Sequence, residues 1–303
     1  MSDSEAGNAY DSDVLIVGAG PAGLTAATYL RRFHRSCIVV DAGQSRARWI
    51  PESNNCPGFP HGVHGTDLLQ RMRAQAETFA PHFEHARVDG MRSDGDGFLV
   101  SAGAQHWRVR CVVLATGVVD RLPVQDWVPE AIACGALRLC SICDAFEASD
   151  QRIGVYGPAD TIGGHGRFLR SYSGKVTLLP TTATDGVDLS ELRSAGITVL
   201  APGGTLEFDG HRVRYVEPDG SEEIFDTVYP FLGVDTCAAL AESVGARLDD
   251  NGEIEVDRRQ MTSVPGLYAI GDIVSGLNQI SVAVGQAAVA AACIHNALPF
   301  EPR

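Results

Sequence analysis

The hydrophobic pattern of residues 14–40 predicts a strand, a helix and a second strand in close succession. Residues 14–17 and 37–40 are short, continuous apolar runs, which are typical of strands buried on both faces of a sheet. Residues 24–30 between them consist mainly of good helix formers. This order of elements predicts an α/β unit built on a parallel sheet.

The rest of the chain continues to alternate between helical and strand patterns. Two stretches interrupt it: residues 42–65 are rich in proline and glycine, and residues 118–139 show little periodicity. We interpret the first as a long functional loop and the second as a crossing into another domain. Elsewhere the pattern predicts helices over 66–79, 238–244 and 279–298, and strands over 98–100, 109–114, 175–179 and 266–270.

A strand, a glycine turn and a helix recur over residues 152–172, so that the chain contains a degenerate internal repeat. Gly157 corresponds to Gly18, an offset of 139 residues. The other marker residues of the first unit are replaced at this offset: Gly20 by Ala159, Gly23 by Ile162 and Asp41 by Pro180. We expect the second unit to keep the fold and to have a lost or remodelled nucleotide site.

Composition is that of an ordinary globular protein, and the length suggests two domains. The 303 residues are 45% hydrophobic and 20% charged. A net charge of −14 argues against nucleic acid or an anionic membrane as a partner. The polar residues 1–12 predict no signal peptide, and no apolar run reaches membrane-spanning length, so we expect a cytoplasmic protein. In that compartment the eight cysteines indicate thiol chemistry or burial.

Three glycines form a G-x-G-x-x-G motif between the first predicted strand and helix. Gly18 allows a tight turn, Gly20 lets a pyrophosphate approach the backbone, and Gly23 lets the helix pack on its strand. The free N–H groups at the helix start then face the phosphates. Asp41 ends the second strand, 21 residues after Gly20, where an acid can hold ribose hydroxyls. Together these features predict a dinucleotide site.

Cys140 and Cys143 form a C-x-x-C pair, whose spacing allows a disulfide across one helical turn. Beside βαβ units this pattern favours redox chemistry, and Asp144 could carry a proton to or from a thiolate. Two alternatives stay open. One is a zinc site that recruits Cys134 and His165, and the other is a pair of buried, inert cysteines.

The remaining cysteines show no comparable pattern. Cys37, Cys111 and Cys293 lie in apolar strand or helix patterns, and we predict that they belong to the core. Cys56 lies in the long loop and has no assigned role.

The order of these motifs resembles the low-molecular-weight thioredoxin reductase family of flavoproteins, which belongs to the FAD-dependent pyridine nucleotide-disulfide oxidoreductases. The resemblance covers nearly the whole chain from residue 12, and the C-x-x-C-D placed between the two units is its most specific feature. The matching segments are residues 18–23, Asn55 before Pro57-Gly58, residues 115–117, residues 140–144, and Gly271-Asp272 followed by Asn278-Gln279.

The resemblance implies an α/β fold of two Rossmann-like domains of the three-layer ββα type, the second inserted in the first. It implies an FAD-binding domain over 12–117 and 248–303, an inserted domain over 118–247 that normally binds NADPH, and a disordered N-terminus over 1–11. The cofactor-binding residues that it implies are Gly18, Gly20, Pro21, Ala22, Gly23, Asp41, Asn55, Val88, Ala115, Thr116, Gly117, Gly271, Asp272, Gln279 and Ile280.

The resemblance also implies roles for the cysteine centre. Cys143 would face the flavin, Cys140 would attack the partner disulfide, and Asp144 would be the acid/base. A homodimer and a domain rotation that presents the dithiol alternately to flavin and to substrate are also implied. The expected partner is a thioredoxin-like protein or a small-molecule dithiol or disulfide.

The chain departs from NADPH-using relatives in the inserted domain, where they carry a glycine-rich turn and an arginine cluster. Residues 157–162 and 179–182 stand there instead, which argues against NADPH and leaves ferredoxin or a second flavin as candidate donors. We therefore predict an FAD-dependent dithiol–disulfide oxidoreductase.

Three alternatives to this function stay open. They are an NADPH-dependent thioredoxin reductase, an oxygen-dependent small-molecule dithiol oxidase, and a non-catalytic flavin-binding sensor. Such oxidases often carry histidine after the C-x-x-C, whereas this chain has Asp144, which favours the reductase-like members.

Overall fold

The computed structural model describes residues 10–274, 276–300 and 302. Its helices are α1 (Pro21–Arg32), α2 (Gly65–Glu77), α3 (Val128–Ala133), α4 (Ser141–Asp144), α5 (Ile162–Leu169), α6 (Ser190–Ser194), α7 (Ala239–Glu242) and α8 (Ile280–Ala297). Its strands are β1 (Ser12–Val17), β2 (Cys37–Asp41), β3 (His82–His85), β4 (Gly90–Asp94), β5 (Gly97–Ala102), β6 (Gln105–Leu114), β7 (Val118–Asp120), β8 (Arg152–Gly157), β9 (Lys175–Pro180), β10 (Thr198–Val199), β11 (Thr205–Phe208), β12 (Val213–Val216), β13 (Glu222–Phe225), β14 (Thr227–Pro230), β15 (Val234–Thr236) and β16 (Leu267–Ala269).

Contacts divide the chain into two units. The first consists of the residues up to Arg48, Thr66–Val119 and the residues from Thr236 onward. The second consists of Trp49–Gly65 and Asp120–Asp235, and is therefore inserted in the first along the chain.

The first unit is built on one sheet with the strand order β3-β2-β1-β6-β5-β4, in which β16 also pairs with β6. Strands β3, β2, β1, β6 and β16 are parallel, whereas β4 and β5 run antiparallel. Val17 of β1 is paired with Val40 on one side and with Leu114 on the other. This register brings the turns that follow β1, β2 and β6 to the same edge of the sheet.

Strict alternation along β1 gives this unit three layers. Val14 and Ile16 face a cluster formed with the small residues of α1 and α8. Leu15 and Val17 face a second cluster, which includes Phe98 and Val100 of β5. Because side chains alternate between the two faces of a strand, the parallel sheet lies between helices and an antiparallel β layer.

Helix α8 is long and apolar enough to cross a membrane by length and composition alone. Packing accounts for part of this apolar character, since 28% of the helix is buried. Ala283, Ala287, Ala290, Ala291 and Ile294 are buried in the core cluster that α8 shares with α1. The small side chains allow the two helices to approach closely, as expected of a core helix.

The second unit repeats the same layering on a smaller scale. Its parallel sheet has the order β10-β9-β8-β14, and β11, β12 and β13 form a separate antiparallel sheet. One face of the parallel sheet packs on α5 through Ile162 and Leu169. Its other face joins the antiparallel sheet through Tyr215 and Phe225. The predicted α/β fold of two Rossmann-like, three-layer units is confirmed.

The unit boundaries differ from the predicted 118–247. The inserted unit ends at Asp235, twelve residues before the predicted 247, because Ala238, Ala241 and Ala246 pack into the core of the first unit. The loop segment Trp49–Gly65 belongs to the second unit. Of the N-terminus predicted to be disordered, residues 1–9 lie outside the described residues. The Asp11 N–H donates to the carbonyl of Arg108.

Candidate functional site

The glycine turn after β1 is packed so tightly that two of its positions exclude any side chain. Gly18 has φ +103°, and a Cβ there would lie 2.4 Å from the carbonyl oxygen of Ala115. A Cβ on Gly23 would lie 1.9 Å from the carbonyl oxygen of Gly18. Only glycine satisfies these contacts, so the start of α1 is held against the ends of β1 and β6.

Gly20 is different, because an added side chain would meet a movable side chain and not backbone. A Cβ there would first meet the flexible Ser45 side chain, whose Oγ lies 3.2 Å away. Gly20 is the N-cap of α1, Pro21 is the first helical residue, and the first turn contains no acidic side chain. A helix N-terminus that begins with glycine and carries no acidic side chain fits a pyrophosphate group, so these residues suit a dinucleotide.

Asp41, the predicted ribose ligand, also stabilises this turn. Its Oδ1 accepts a hydrogen bond from the Ala19 N–H at 2.9 Å, and its Oδ2 accepts one from the Gly43 N–H at 3.0 Å. A carboxylate oxygen can accept more than one hydrogen bond, so both oxygens retain capacity for ribose hydroxyls. The ribose role remains a prediction.

The segment after β16 lies against the same turn. A Cβ on Gly271 would lie 3.1 Å from the Cβ of Ala22, and the Gly271 N–H donates to Oε1 of Gln286 on α8. Asp272 pairs with Arg46 at 3.1 Å. The structure thus brings Gly271, distant in sequence, to the start of α1, and Asp272 to Arg46 in the loop after β2.

The other predicted cofactor residues are spread around this unit or lie outside it. Ala115, Thr116 and Gly117 follow β6, and the Thr116 hydroxyl donates to the carbonyl of Cys237. The side chain of Val88 is buried in the core. Gln279 caps α8 and Ile280 is its first residue. Asn55 belongs to the second unit, where its Oδ1 accepts a hydrogen bond from Ser53.

In the second unit a disulfide joins Cys140 and Cys143, whose Cα atoms are 5.3 Å apart. Cys140 is the N-cap of the short helix α4, and its sulfur accepts a hydrogen bond from the Cys143 N–H. Within the described residues, no group of three or more histidine, cysteine or acidic residues could hold a metal ion. The zinc alternative therefore has no ligand set in that part of the chain.

Asp144 is largely buried beside this disulfide, with each carboxylate oxygen engaged. Its Oδ1 accepts a hydrogen bond from the Tyr229 hydroxyl at 2.8 Å, and its Oδ2 lies 3.2 Å from Nη1 of Arg138. Burial raises the pKa of the Asp144 carboxyl, while the Arg138 charge and the Tyr229 hydrogen bond oppose that rise. The carboxyl group can therefore take up and release a proton.

Four residues of these sites were not predicted from the sequence: Arg46, Gln286, Arg138 and Tyr229. The sequence could have indicated Gln286, because it is a polar residue inside an apolar helix. The sequence gives a weaker indication of Arg138, which is a charged residue two positions before the C-x-x-C in an apolar stretch. No pattern in the sequence indicates Arg46 or Tyr229, because their partners come from remote parts of the chain.

The second unit lacks the features that make the first turn suitable for phosphate. Helix α5 begins at Ile162, the counterpart of Gly23, whereas α1 begins two positions earlier, at Pro21. The N–H groups of Thr161 and Ile162 both donate to the carbonyl of Pro158, and that of Ala159 donates to the Thr182 hydroxyl. Three N–H groups of this turn are therefore engaged within the unit.

Comparison with known proteins identifies the class to which this fold and these sites belong. The family model for pyridine nucleotide-disulphide oxidoreductases matches residues 12–287, and the chain belongs to this family. It is a flavin-dependent disulfide oxidoreductase, with FAD as the family cofactor.

Within that class the chain is similar to thioredoxin reductases. The one from Mycolicibacterium smegmatis is 31% identical over 281 residues, covering 86% of this chain and 88% of the relative. The one from Listeria innocua is 27% identical over 293 residues, covering 92% and 91%.

Solved structures agree with this placement. The crystal structure of HlmI superposes with a TM-score of 0.86 at 28% identity, covering 97% of this chain and 93% of that one. The thioredoxin reductase from Streptococcus pyogenes gives a TM-score of 0.86 at 24% identity, covering 94% and 97%, and supports the fold alone.

Proposed function

We propose that this protein is an FAD-dependent dithiol–disulfide oxidoreductase in which Cys140 and Cys143 exchange an electron pair with the flavin, and that NADPH is not its electron donor. The partner on the other side is a thioredoxin-like protein or a small dithiol or disulfide. The name of the curated relatives supports a thioredoxin-like partner. Homodimeric assembly and cytoplasmic location stay predictions.

The residues around the start of α1 would hold FAD. Gly20 and the first N–H groups of α1 would receive the pyrophosphate, and Asp41 would receive the ribose. Gly271 and Asp272 would complete the site from the carboxyl-terminal part of the chain. When bound, the flavin accepts or donates the electron pair that the two cysteines release or take up.

The thiol chemistry follows from the disulfide itself. A thiolate of the reducing partner attacks Cys140 Sγ, the Cys140–Cys143 bond breaks, and its electron pair leaves on Cys143. The second thiol of the partner then attacks the mixed disulfide and releases Cys140. The products are the oxidised partner and a reduced protein dithiol, so atoms and electrons balance. The reverse sequence reduces a partner disulfide.

One observation carries the exclusion of NADPH: the turn before α5 has Ala159 and Ile162 where the first turn has Gly20 and Gly23. Ile162, fully buried, fills the position of Gly23. The N–H groups of Ala159, Thr161 and Ile162 already have acceptors within the unit, so they do not face a pyrophosphate as the first N–H groups of α1 would.

Two neighbouring features support this reading. The register of β8 with β14 pairs Tyr156 with Pro230, as that of β1 with β6 pairs Val17 with Leu114. Phe231 therefore stands where the first unit has Ala115. The His165 ring stacks on Phe231, with centroids 3.5 Å apart and planes 9° apart, so two aromatic rings occupy that end of the sheet.

The arginines of α5 are also engaged within the unit. Arg167 pairs with Glu191 at 2.8 Å. Arg170 donates to the carbonyl oxygens of Ala195 and Ser173. A 2′-phosphate would have to displace these contacts in order to bind either side chain.

Anaerobic mixing tests the proposal. The oxidised holoenzyme is mixed with excess NADPH, NADH or dithiothreitol while the visible flavin band is followed. We expect bleaching by dithiothreitol and none by either nicotinamide. Rapid bleaching by NADPH would overturn the exclusion and make the protein an ordinary NADPH-dependent reductase. Peroxide release on readmission of air would identify oxygen as an acceptor.

A serine variant tests the route of the electrons. Cys143→Ser should abolish flavin reduction by dithiothreitol, since no internal disulfide can form. Cys134→Ser removes an exposed cysteine outside the pair and is the matched control. An unchanged rate of flavin reduction in Cys143→Ser would show that the dithiol reaches the flavin directly.

A further inference from the structure

The carboxylate of Asp144 is held at both ends by side chains from outside its own helix. Tyr229 belongs to β14, and Arg138 precedes the C-x-x-C segment. In the core of the second unit the Tyr229 side chain is fully buried. One carboxylate oxygen accepts a hydrogen bond from the tyrosine hydroxyl, and the other forms an ion pair with the guanidinium. These two contacts fix the plane of the carboxylate.

The backbone explains how these two residues come together. The Val228 N–H donates to the carbonyl of Ala136, and the Arg138 N–H donates to the carbonyl of Val228. The segment 136–138 is thereby attached to β14, one residue from Tyr229. Asp144 is four residues after Cys140 on the first turn of α4, and residues at this spacing share a helix face.

Stability alone does not explain how Arg138, Tyr229 and Glu147 are arranged around Asp144. Nε of Arg138 and Oε2 of Glu147 are buried without a hydrogen-bond partner in the described part of the chain. Buried polar atoms are normally paired, and a buried ion pair is weak evidence of stabilisation. A network with unpaired atoms beside a reactive disulfide indicates a functional constraint.

We propose that Arg138 and Tyr229 are positioning residues that orient the Asp144 carboxylate for proton transfer at the Cys140–Cys143 disulfide. This inference rests on the proposed dithiol chemistry and adds residues to it. Asp144 takes the proton of the attacking thiol, whose sulfur bonds to Cys140 Sγ. The electron pair of the broken bond goes to Cys143, and the proton on Asp144 then neutralises that thiolate.

The charges around Asp144 determine how the activity should change with pH. Arg138 and Tyr229 stabilise the ionised carboxylate, whereas burial and the nearby Glu147 favour the protonated form. The ionised form is the base, so its share falls as pH falls through the pKa of Asp144. Removing the Tyr229 hydroxyl raises that pKa and brings the loss of activity to higher pH. Removing the charge of Glu147 acts in the opposite direction.

The test measures cleavage of the disulfide by dithiothreitol in the holoenzyme, by acid quench, alkylation and mass spectrometry, from about pH 5 to pH 9. Dividing each variant rate by the wild-type rate at the same pH cancels the ionisation of dithiothreitol. For Tyr229→Phe we expect this ratio to fall about tenfold from the basic to the acidic end, because a hydrogen bond to a charged group is lost. For Glu147→Gln we expect it to rise towards acidic pH.

Tyr215→Phe is the matched control. Tyr215 is another fully buried tyrosine of the same unit, and its hydroxyl bonds to the backbone at Gly204 and Ala201. Whatever its effect on thermal stability, this variant should leave a ratio that does not vary with pH. A flat ratio for Tyr229→Phe, or the same slope in Tyr215→Phe, would overturn the inference.

Arginine variants give a second measurement. Arg138→Met should show the same acidic loss as Tyr229→Phe, and Arg138→Lys should partly restore the ratio because it keeps the charge. Equal, pH-independent losses in both would mean that Arg138 is only structural. Flavin absorbance is followed in parallel. Cleavage of the disulfide without bleaching of the flavin would refute the proposed electron transfer and leave the positioning inference standing.

Discussion

At the scale of single residues, the three glycines of the G-x-G-x-x-G motif have different roles. Gly18 and Gly23 are required by the packing of the protein on itself. A methyl group on Gly20 would meet only the Ser45 hydroxyl, which would have to shift by a few tenths of an ångström, so we attribute the need for glycine there to the ligand. The same motif therefore combines a folding constraint with a binding constraint, and substitutions can separate them.

We expect Gly20→Ala to fold normally and to lose FAD, and Gly23→Ala to be destabilised. A methyl group on Gly20 meets only a flexible side chain, whereas one on Gly23 meets backbone at 1.9 Å. Overpacking of this kind costs about 1–3 kcal/mol or more. Thermal unfolding of the apoproteins and the flavin absorbance of the purified proteins measure the two effects. Equal unfolding temperatures for the two variants would contradict this division.

A second prediction at this scale concerns thiol reactivity. Burial raises the pKa of Cys37 and of Cys111 to about 12, so both remain neutral thiols near pH 8 and do not react as nucleophiles. Cys134 is exposed. Iodoacetamide near pH 8 should therefore label Cys134 first and leave Cys37 and Cys111 unmodified until the protein unfolds. Peptide mapping checks this, with Cys134→Ser as the control, and early modification of Cys37 would show that β2 opens.

At the scale of elements, the first site is assembled from the ends of strands and the start of a helix. The turns after β1, β2, β6 and β16 meet at one edge of the sheet because the strands are parallel and in register. Helix α8 contributes through Gln286, which holds the Gly271 N–H. The carboxyl-terminal helix thus connects the core packing of the unit to the shape of its cofactor site.

Gln286→Leu should weaken FAD binding without unfolding the protein. It removes the acceptor of the Gly271 N–H, and one such hydrogen bond is worth about 0.5–1.5 kcal/mol, which corresponds to a change in affinity between about twofold and about thirteenfold. Gln286→Glu retains an acceptor oxygen and should bind FAD more tightly than Gln286→Leu. Fluorescence titration of the apoproteins with FAD measures both. Unchanged affinity in Gln286→Leu would mean that this hydrogen bond does not shape the site.

At the scale of the whole molecule, each unit has its own core. Two hydrophobic clusters belong to the first unit and two to the second. The chain passes between the units through β7 and β15, which pair as a short two-stranded sheet. The Arg121–Asp235 ion pair beside them is exposed and contributes little to stability.

Because each unit has its own core, we predict that FAD stabilises one unit more than the other. A ligand stabilises the part of the protein that binds it, so FAD should slow amide exchange in the first unit more than in residues 120–235. Hydrogen–deuterium exchange of apoprotein and holoenzyme measures this peptide by peptide, with β1 and β8 as matched strands. Equal protection of β1 and β8 on adding FAD would show that the units unfold together or that the second also binds flavin.

The sequence by itself determined the fold class, the two related units, the glycine turn after the first strand and the cysteine pair. Each of these depends on local patterns: apolar runs, glycines at fixed spacing and two cysteines one helical turn apart. Only the tertiary structure decided that Asp41 also accepts a hydrogen bond from the glycine turn and that Gln286 accepts one from Gly271. It also decided that Arg138 and Tyr229 contact the Asp144 carboxylate. These contacts join residues far apart in the chain, and the parallel sheets and their register bring them together, which no local pattern records.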